Sequence, residues 1–77
     1  MLEMKYIIVD NLFPVIFPIY ISHKDIAQNQ NITSAGFIDY DGKVYGFSDT
    51  LNLHSNEKDQ KIIDRVLIRC SYPKIQK

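Results

Sequence analysis

The sequence predicts an α+β domain: a small antiparallel sheet of three to four strands with a central β-hairpin and two helices, in the order β-β-α-β-β-α. Apolar, β-branched runs at residues 6–9 and 15–17 indicate two short strands. An Asp41-Gly42 pair between two stretches of β-forming residues is typical of a hairpin. Apolar residues between positions 62 and 70 recur at helical spacing. These elements predict a sheet with helices packed on one face.

Length and composition restrict the class of protein. A chain of 77 residues predicts a single domain over residues 1–77, with residues 71–77 as a loose tail. The net charge is zero, which removes the general electrostatic attraction to nucleic acid. The single cysteine, Cys70, has no partner for an internal disulfide, so we predict a cytoplasmic protein. The longest apolar stretch, 12–21, is too short to span a membrane, and we expect no membrane association.

The first two strands differ in their expected position. Residues 6–9 are all apolar and are followed by Asp10-Asn11, which predicts a short strand that is buried on both faces. Residues 15–17 also favour a strand, but Pro14 and Pro18 flank them and carry no backbone N–H. Prolines lie at strand ends and sheet edges, so we expect an edge strand or an extended loop, with its pairing left open.

A short helix is predicted after these strands. Ser22 can cap its start, and Asp25 lies three residues later, which is a carboxylate variant of the capping box. We expect the helix to run to about Gln28. The Asn-Gln-Asn sequence at 29–31 then ends it, because asparagine competes for backbone hydrogen bonds and tolerates left-handed backbone.

The hairpin has apolar residues on both predicted faces. A two-residue type I′ turn at 41–42 would pair Tyr40 with Lys43, Ile38 with Tyr45, Gly36 with Phe47, and Ser34 with Asp49. A hairpin with two apolar faces needs cover on both sides. We expect the helices to cover one face, and a loop, another subunit or a ligand to cover the other.

A second helix is predicted from Ser55 or Asn56 to about Arg69. Pro73 should prevent its continuation. One side of this helix is apolar, and the neighbouring side carries a basic stripe of Lys58, Lys61, Arg65 and Arg69. A solvated helix face is the simplest interpretation of that stripe, and a protein partner is the second.

The residue pattern does not favour catalysis. No nucleophile-elbow pattern is present, and Ser, His and Asp in a polar loop do not make a triad without geometry. Cys70 on the apolar side of the last helix is typical of a buried small side chain. His23, His54 and Cys70 lack the spacing of a zinc site. We therefore expect no enzyme activity, no catalytic residue, no metal and no cofactor.

Hydroxyl-bearing residues around the hairpin exit and the second helix predict a site for a phosphate-bearing ligand, because helix N-terminal amides and hydroxyls bind anions. A strand-end hydroxyl and an N-cap are the simpler explanations of the serines there. Asp59 is the one carboxylate on the apolar side of that helix, and it must be paired, either within the protein or with a ligand. The candidate ligand-binding residues are Ser34, Ser48, Asp49, His54, Ser55 and Asp59, with His23 less favoured.

One extended pattern resembles a known group of proteins. Ser34-Ala35-Gly36-Phe37 is followed by Gly46-x-Ser48-x-Thr50-Leu51-x-Leu53-x-Ser55-x-x-x-Asp59. Together with segments 5–9, 15–18 and 23–27, this resembles small proteins carried by tailed phages and prophages, over most of residues 4–67. The chain departs from that pattern at Thr50, where a serine is expected, and at Asn52, where a glycine is expected. The resemblance implies an accessory factor that counters host immunity, by blocking a defence protein or by sequestering a nucleotide signal.

Three hypotheses for the function stay open at this point. The first is a non-catalytic binding protein in the host bacterial cytoplasm, a homo-oligomer that sequesters a nucleotide or another phosphate-bearing ligand. The second is a protein–protein module that inhibits a host defence protein through a sheet face or a sheet edge and has no small-molecule site. The third is a nucleic-acid binder that uses the last helix, which the zero net charge argues against.

Overall fold

The structure is a computed structural model that describes residues 3–75, with the side chains of residues 3–67. Four strands form an antiparallel sheet in the order β2-β1-β3-β4, and two more form a separate sheet, β5-β6. The α+β class with an antiparallel sheet and two helices is confirmed, but the order contains two more strands than predicted. The elements are β1 (Met4–Val9), β2 (Phe13–Pro18), α1 (His23–Ile26), β3 (Ile32–Ile38), β4 (Val44–Tyr45), β5 (Phe47–Ser48), β6 (Leu53–His54) and α2 (Glu57–Ile75).

The position of the first two strands is as predicted. β1 is central in the sheet, and Tyr6, Ile7 and Ile8 are at most 1% exposed. β2 lies at the edge and pairs antiparallel with β1, from Met4 opposite Pro18 to Val9 opposite Phe13. Its prolines are tolerated there, because an edge strand has one side on which no N–H is needed.

The hairpin turn differs from the prediction by one residue. The Asp39 N–H donates to the Lys43 carbonyl, and the Gly42 N–H donates to the Asp39 carbonyl, both at 2.9 Å. The Asp39 carboxylate also accepts from the N–H groups of Asp41 and Lys43. Gly42 has a φ of 85°. This is a three-residue loop, 40–42, with glycine in the left-handed position, in place of the two-residue turn at 41–42.

The shifted turn changes which side chains share a face. Phe37 lies opposite Tyr45, and Ile38 lies opposite Val44. A one-residue change of register places every side chain of one strand on the opposite face of the sheet relative to the side chains of its partner strand. The predicted pairs Tyr40–Lys43, Ile38–Tyr45, Gly36–Phe47 and Ser34–Asp49 are therefore wrong.

The second half of the hairpin is also broken at Gly46. This residue has a φ of 79°, which ends β4 and turns the chain. β5 then pairs with β6, with Phe47 opposite His54 and Ser48 opposite Leu53. The Ser55 N–H donates to the Gly46 carbonyl at 2.9 Å and closes this second hairpin.

Both faces of the main sheet are covered by the chain itself. On one face, Ile63 of α2 packs with Tyr6, Ile8 and Ile38. The other face has a core of Ile7, Phe17 and Ala35, with partly buried apolar side chains from α1 and from the β5–β6 hairpin, including Ile26, Leu51 and Leu53. The prediction that the helices cover one face is therefore wrong, because α2 packs on one face and α1 on the other. Of the three covers considered for the second face, the chain supplies a loop, between β5 and β6.

The helix ends test the capping predictions. Ser22 caps α1 as predicted and accepts from the Asp25 N–H at 3.1 Å. The α1 helix ends at Ile26, earlier than predicted. α2 begins after Asn56, whose side chain accepts from the Lys58 N–H at 3.1 Å, so the alternative cap Ser55 is wrong.

The C-terminal helix is longer than predicted. α2 continues to Ile75, past Arg69 and across Pro73, so the expected stop at this proline is wrong. This continuation is unusual, because proline inside a helix lacks one N–H and crowds the carbonyl four residues earlier. Residues 71–75, for which we expected a loose tail, belong to this helix, and residues 76–77 lie outside the described part. Among the described residues, no helix combines the length and the hydropathy that crossing a membrane requires.

Candidate ligand-binding site

Four of the predicted ligand-binding residues form two groups on opposite faces of the main sheet. Ser34 and Asp59 meet on the α2 face, where both are buried. Ser48 and Asp49 lie on the other side, beside His23, in a groove near α1. The structure therefore does not bring all the predicted residues into one site.

The first group is a buried hydrogen-bond network around Asp59, which is 3% exposed. Its Oδ1 accepts from the Ser34 hydroxyl at 2.8 Å. Its Oδ2 accepts from the Tyr6 hydroxyl at 2.6 Å and from the Asn56 N–H at 2.9 Å. Among the described residues, every fully buried side-chain N or O atom has a hydrogen-bond partner.

This network has a structural explanation. The bond from Asn56 completes a capping box at the start of α2, and a carboxylate there interacts favourably with the helix dipole. Burial, helped by the hydrogen bond to Asp59, raises the pKa of Tyr6 well above its usual value. The phenol therefore stays a donor at physiological pH. The contacts that Asp59 makes with Ser34 and Tyr6 join α2 to β3 and β1.

Gly36 and Ser55 complete the packing beside this network. A Cβ on Gly36 would lie 2.7 Å from the Tyr45 carbonyl oxygen and 3.1 Å from the Ser55 Cβ. The backbone of the β3–β4 pair and the segment that precedes α2 can approach each other this closely because residue 36 has no side chain. Ser55 is half-buried here and contributes packing instead of a helix cap.

The second group lies in a groove of about 440 Å³, which we name the aromatic groove. A volume of this size is typical of small-molecule sites. The groove includes two predicted candidates, Ser48 and Asp49, and the less favoured His23. Its lining consists of Lys5, His23, Phe37, Tyr45 and residues 46–50.

Three aromatic rings form much of this lining. Phe37 and Tyr45 are stacked, with ring centroids 5.6 Å apart and planes at 29°. Their proximity is a direct result of the shifted hairpin register. Phe47 follows Gly46 and is 51% exposed. Its ring lies 5.8 Å from that of His54, a predicted residue that lies outside both groups.

Lys5 places a positive charge beside the rings. Its Nζ lies 6.0 Å from the centroid of Phe37 and donates to the Ile21 carbonyl at 2.9 Å. A lysine ammonium has three N–H donors, so this bond leaves two of them for other acceptors. The hydroxyl of Tyr45 donates to the Glu3 carboxylate, which raises the pKa of Tyr45 to about 12 and keeps it neutral.

His23 forms part of the groove wall and is 4% exposed. Phe17 and Phe37 contact the imidazole edge-on, each with centroids 5.5 Å apart. Its Nε2 lies 2.9 Å from the Gly36 carbonyl oxygen, and because a carbonyl only accepts, Nε2 carries the proton. Burial lowers the pKa of His23, and the charge of Lys5 lowers it further, against the opposing effect of the Gly36 bond. The ring is therefore neutral at pH 7.

Ser48 belongs to the lining of the groove, and its hydroxyl stabilises the turn that follows it. It is 1% exposed, and its Oγ accepts from the Leu51 N–H and lies against the Thr50 hydroxyl, both at 3.3 Å. This is the hydrogen bonding of a serine turn. Asp49 and Thr50 are exposed at the rim. The polar groups that face solvent here are therefore those of residues 49 and 50.

Comparisons of the chain with protein-family models, curated proteins and solved structures gave no match. The resemblance to tailed-phage proteins stays a prediction. Within the described part of the chain, no group of three or more His, Cys, Asp or Glu residues is placed to hold a metal ion.

Sequence reasoning did not select Lys5, Phe37, Tyr45 or Phe47 for the site. Their convergence depends on the one-residue register of the hairpin and on the bend at Gly46. The available signal was the lysine in an otherwise apolar strand, because a charged side chain there must reach solvent or a polar partner.

Proposed function

We propose that the protein is a non-catalytic binding protein for a nucleotide-type ligand, which it holds in the aromatic groove. The observation that carries this proposal is the half-exposed ring of Phe47 beside the stacked pair Phe37–Tyr45 and the ammonium of Lys5. Aromatic side chains stack on nucleobases of any sequence, and an ammonium binds phosphate as a point charge. A nucleotide carries both groups.

The groove offers each part of a nucleotide a matching contact. The exposed face of Phe47 can stack on the base. Lys5 and the hydroxyl of Thr50 supply donors for phosphate oxygens, and the carboxylate of Asp49 accepts from an amino group or from ribose hydroxyls. His23 is neutral, so it forms part of the groove wall without adding a charge. Binding of this kind requires no nucleophile and no general base.

We further propose that the protein acts in the cytoplasm of a bacterial host as a phage or prophage accessory factor that sequesters a nucleotide signal. The resemblance of the sequence to tailed-phage proteins supports this setting. Both sheet faces are covered within one chain, and the residues proposed to bind the nucleotide all come from that chain. Homo-oligomerisation is a separate prediction.

Isothermal titration with ATP, cyclic AMP and 3′,3′-cyclic di-AMP tests the proposal. Replacing Phe47 with alanine should weaken binding of at least one of these nucleotides about tenfold or more, because stacking on one base contributes roughly 1–3 kcal/mol. Phe13→Ala is the matched control: Phe13 is 56% exposed and lies outside the groove. No heat of binding with any probe, or equal losses in the two variants, would refute the proposal.

The contribution of Lys5 can be separated from stacking with a second substitution. Lys5→Met keeps the length of the side chain and removes the charge. It should weaken binding of the nucleotides and leave the affinity for adenosine, which has no phosphate, unchanged. Equal effects on both compounds would mean that Lys5 does not contact phosphate.

A different surface favours the second candidate function, inhibition of a host defence protein. Tyr20 is 85% exposed and Tyr40 is 68% exposed, and together with Ile19 and Pro18 they line a hollow of about 520 Å³. Tyrosine and other aromatic residues are enriched at protein interfaces. If this surface carries the function, Tyr20→Ser abolishes capture of a specific host protein, whereas Phe47→Ala does not.

A further inference from the structure

A second groove, remote from the aromatic groove, lies between α2 and the turn that joins β1 to β2. Two adjoining hollows of about 490 Å³ and 180 Å³ share Leu12, Ile62 and Arg65, and we name them together the helix groove. Ile62, Pro14 and Val66 form its apolar floor, and Leu12 forms one wall. It lies on the α2 face of the sheet, opposite the aromatic groove.

One wall of this groove is held in place by the backbone. Asp10 and Asn11 have positive φ values of 53° and 61°, which these residue types tolerate in tight turns. The Asp10 N–H donates to the Asn31 carbonyl, and the Asn11 N–H donates to the Thr33 hydroxyl, both at 2.9 Å. These bonds tie the turn to β3, and Leu12 is left 56% exposed as a preformed apolar wall.

The other wall is positively charged. Lys58, Lys61 and Arg65 line the groove at helix positions i, i+3 and i+7, which places them on one side of α2 over about 10 Å. All three side chains are exposed, and none makes an ion pair with another described residue. Glu57 is the one acidic residue in the lining. The groove thus combines an apolar floor with an excess of unpaired cations.

We propose that the helix groove is a docking site for an acidic, leucine-bearing segment of a partner protein. The carboxylates of such a segment would meet the three cations, and an apolar side chain would fill the space between Leu12 and Ile62. Charge complementarity of this kind sets specificity and the rate of encounter. A nucleic acid has no aliphatic side chain for the apolar floor.

The probe is a fluorescein-labelled 14-residue peptide of glutamate and leucine, with the leucines at helical spacing, measured by fluorescence polarisation. Two further peptides replace every glutamate with lysine or every leucine with serine, and labelled single-stranded and duplex DNA of similar length complete the set. The acidic leucine peptide should bind, and the other probes should bind at least about tenfold more weakly.

The test variant combines Lys61→Glu with Arg65→Glu and should lose most of the binding. Its control combines Lys24→Glu with Lys43→Glu, which makes the same change in net charge at exposed positions outside the groove. Leu12→Ser tests the apolar wall without disturbing the core and should also weaken binding. The proposal is overturned if the acidic leucine peptide does not bind, if the serine peptide binds equally well, or if DNA binds as tightly.

Discussion

At the scale of single residues, Asp59 connects parts of the chain that are far apart in sequence. Its carboxylate accepts from Tyr6, 53 positions earlier, from Ser34, 25 positions earlier, and from the local backbone at Asn56. A buried donor without an acceptor costs about 1–3 kcal/mol. One side chain therefore satisfies three donors that would otherwise destabilise the fold.

Replacing Asp59 with alanine should lower the free energy of unfolding by about 4 kcal/mol, because it leaves two buried hydroxyls and the Asn56 N–H without an acceptor. Urea denaturation at pH 7 measures the loss. Asp49→Ala is the control and should change stability by less than about 0.5 kcal/mol, since Asp49 is exposed. A loss below about 1 kcal/mol for Asp59→Ala would contradict the structural role of the network.

His23 should make folding stability depend on pH. Its pKa in the folded protein is lowered by burial, so between that value and the unfolded pKa of about 6.5 the unfolded chain binds more protons. The stabilising contribution is present above pH 6.5 and is lost as the pH falls through 6.5 toward the folded pKa. Urea denaturation at pH 7.5 and pH 5.5 should show lower stability at pH 5.5.

The variant His23→Gln keeps a side-chain donor and removes the titration. It should be less stable than the wild-type protein at pH 7.5, and its stability should change less between the two pH values. If the wild-type protein and the variant lose the same stability on acidification, another group causes the loss.

At the scale of elements, a glutamine side chain joins α2 to the β3–β4 hairpin. The Gln60 Oε1 accepts from the Val44 N–H at 2.9 Å, and its Nε2 donates to the Gly42 carbonyl at 2.9 Å. Nε2 also donates to Asp64 one turn later, at 2.9 Å. The amide thus takes the place of a neighbouring strand at the open side of β4.

Gln60→Ala should lower stability by about 1–2 kcal/mol, because it removes both bonds from the hairpin backbone. The loss should be local, so hydrogen exchange at the Val44 amide should accelerate more than exchange at the amides of β1. Gln28→Ala, at an exposed position after α1, is the control and should leave both quantities unchanged. Uniform acceleration across the sheet would show that Gln60 does not act on the hairpin alone.

The elements that sequence reasoning predicted well depend on short-range signals. The cap at Ser22 requires contacts within four residues, and the edge position of β2 follows from the missing N–H groups of Pro14 and Pro18. The hairpin register could not be obtained this way. It depends on the Asp39 carboxylate, which accepts two backbone N–H groups and so selects a three-residue loop over the two-residue turn that Asp41-Gly42 favours.

At the scale of the whole molecule, both edges of the main sheet are protected. In β2, Pro14 and Pro18 occupy positions whose backbone N–H would point away from β1. Because proline has no N–H, this edge offers fewer donors to an added strand. At the other edge, β4 has two residues and is covered by Gln60. We therefore expect a protein partner to contact surface side chains. Addition of a strand at a sheet edge, which the second hypothesis included, is disfavoured.

The candidate site shows where prediction from sequence ends. Because Asp59 lies on the apolar side of α2, the sequence predicted that its carboxylate must be paired, and its partners lie within the protein. Its bonds to Tyr6 and Ser34 depend on the tertiary fold. The aromatic groove draws its lining from β1, α1, β3, β4 and β5, so no local motif indicates it.

The most direct test of the proposed function is native mass spectrometry of the wild-type protein and of Phe47→Ala, each incubated with a small-molecule extract of bacterial cells. The proposal predicts an added mass in the range of a nucleotide on the wild-type protein, and loss of that mass in the variant. If the wild-type protein shows only the mass of the polypeptide, or if the variant retains the same added mass, the aromatic groove is not a nucleotide site.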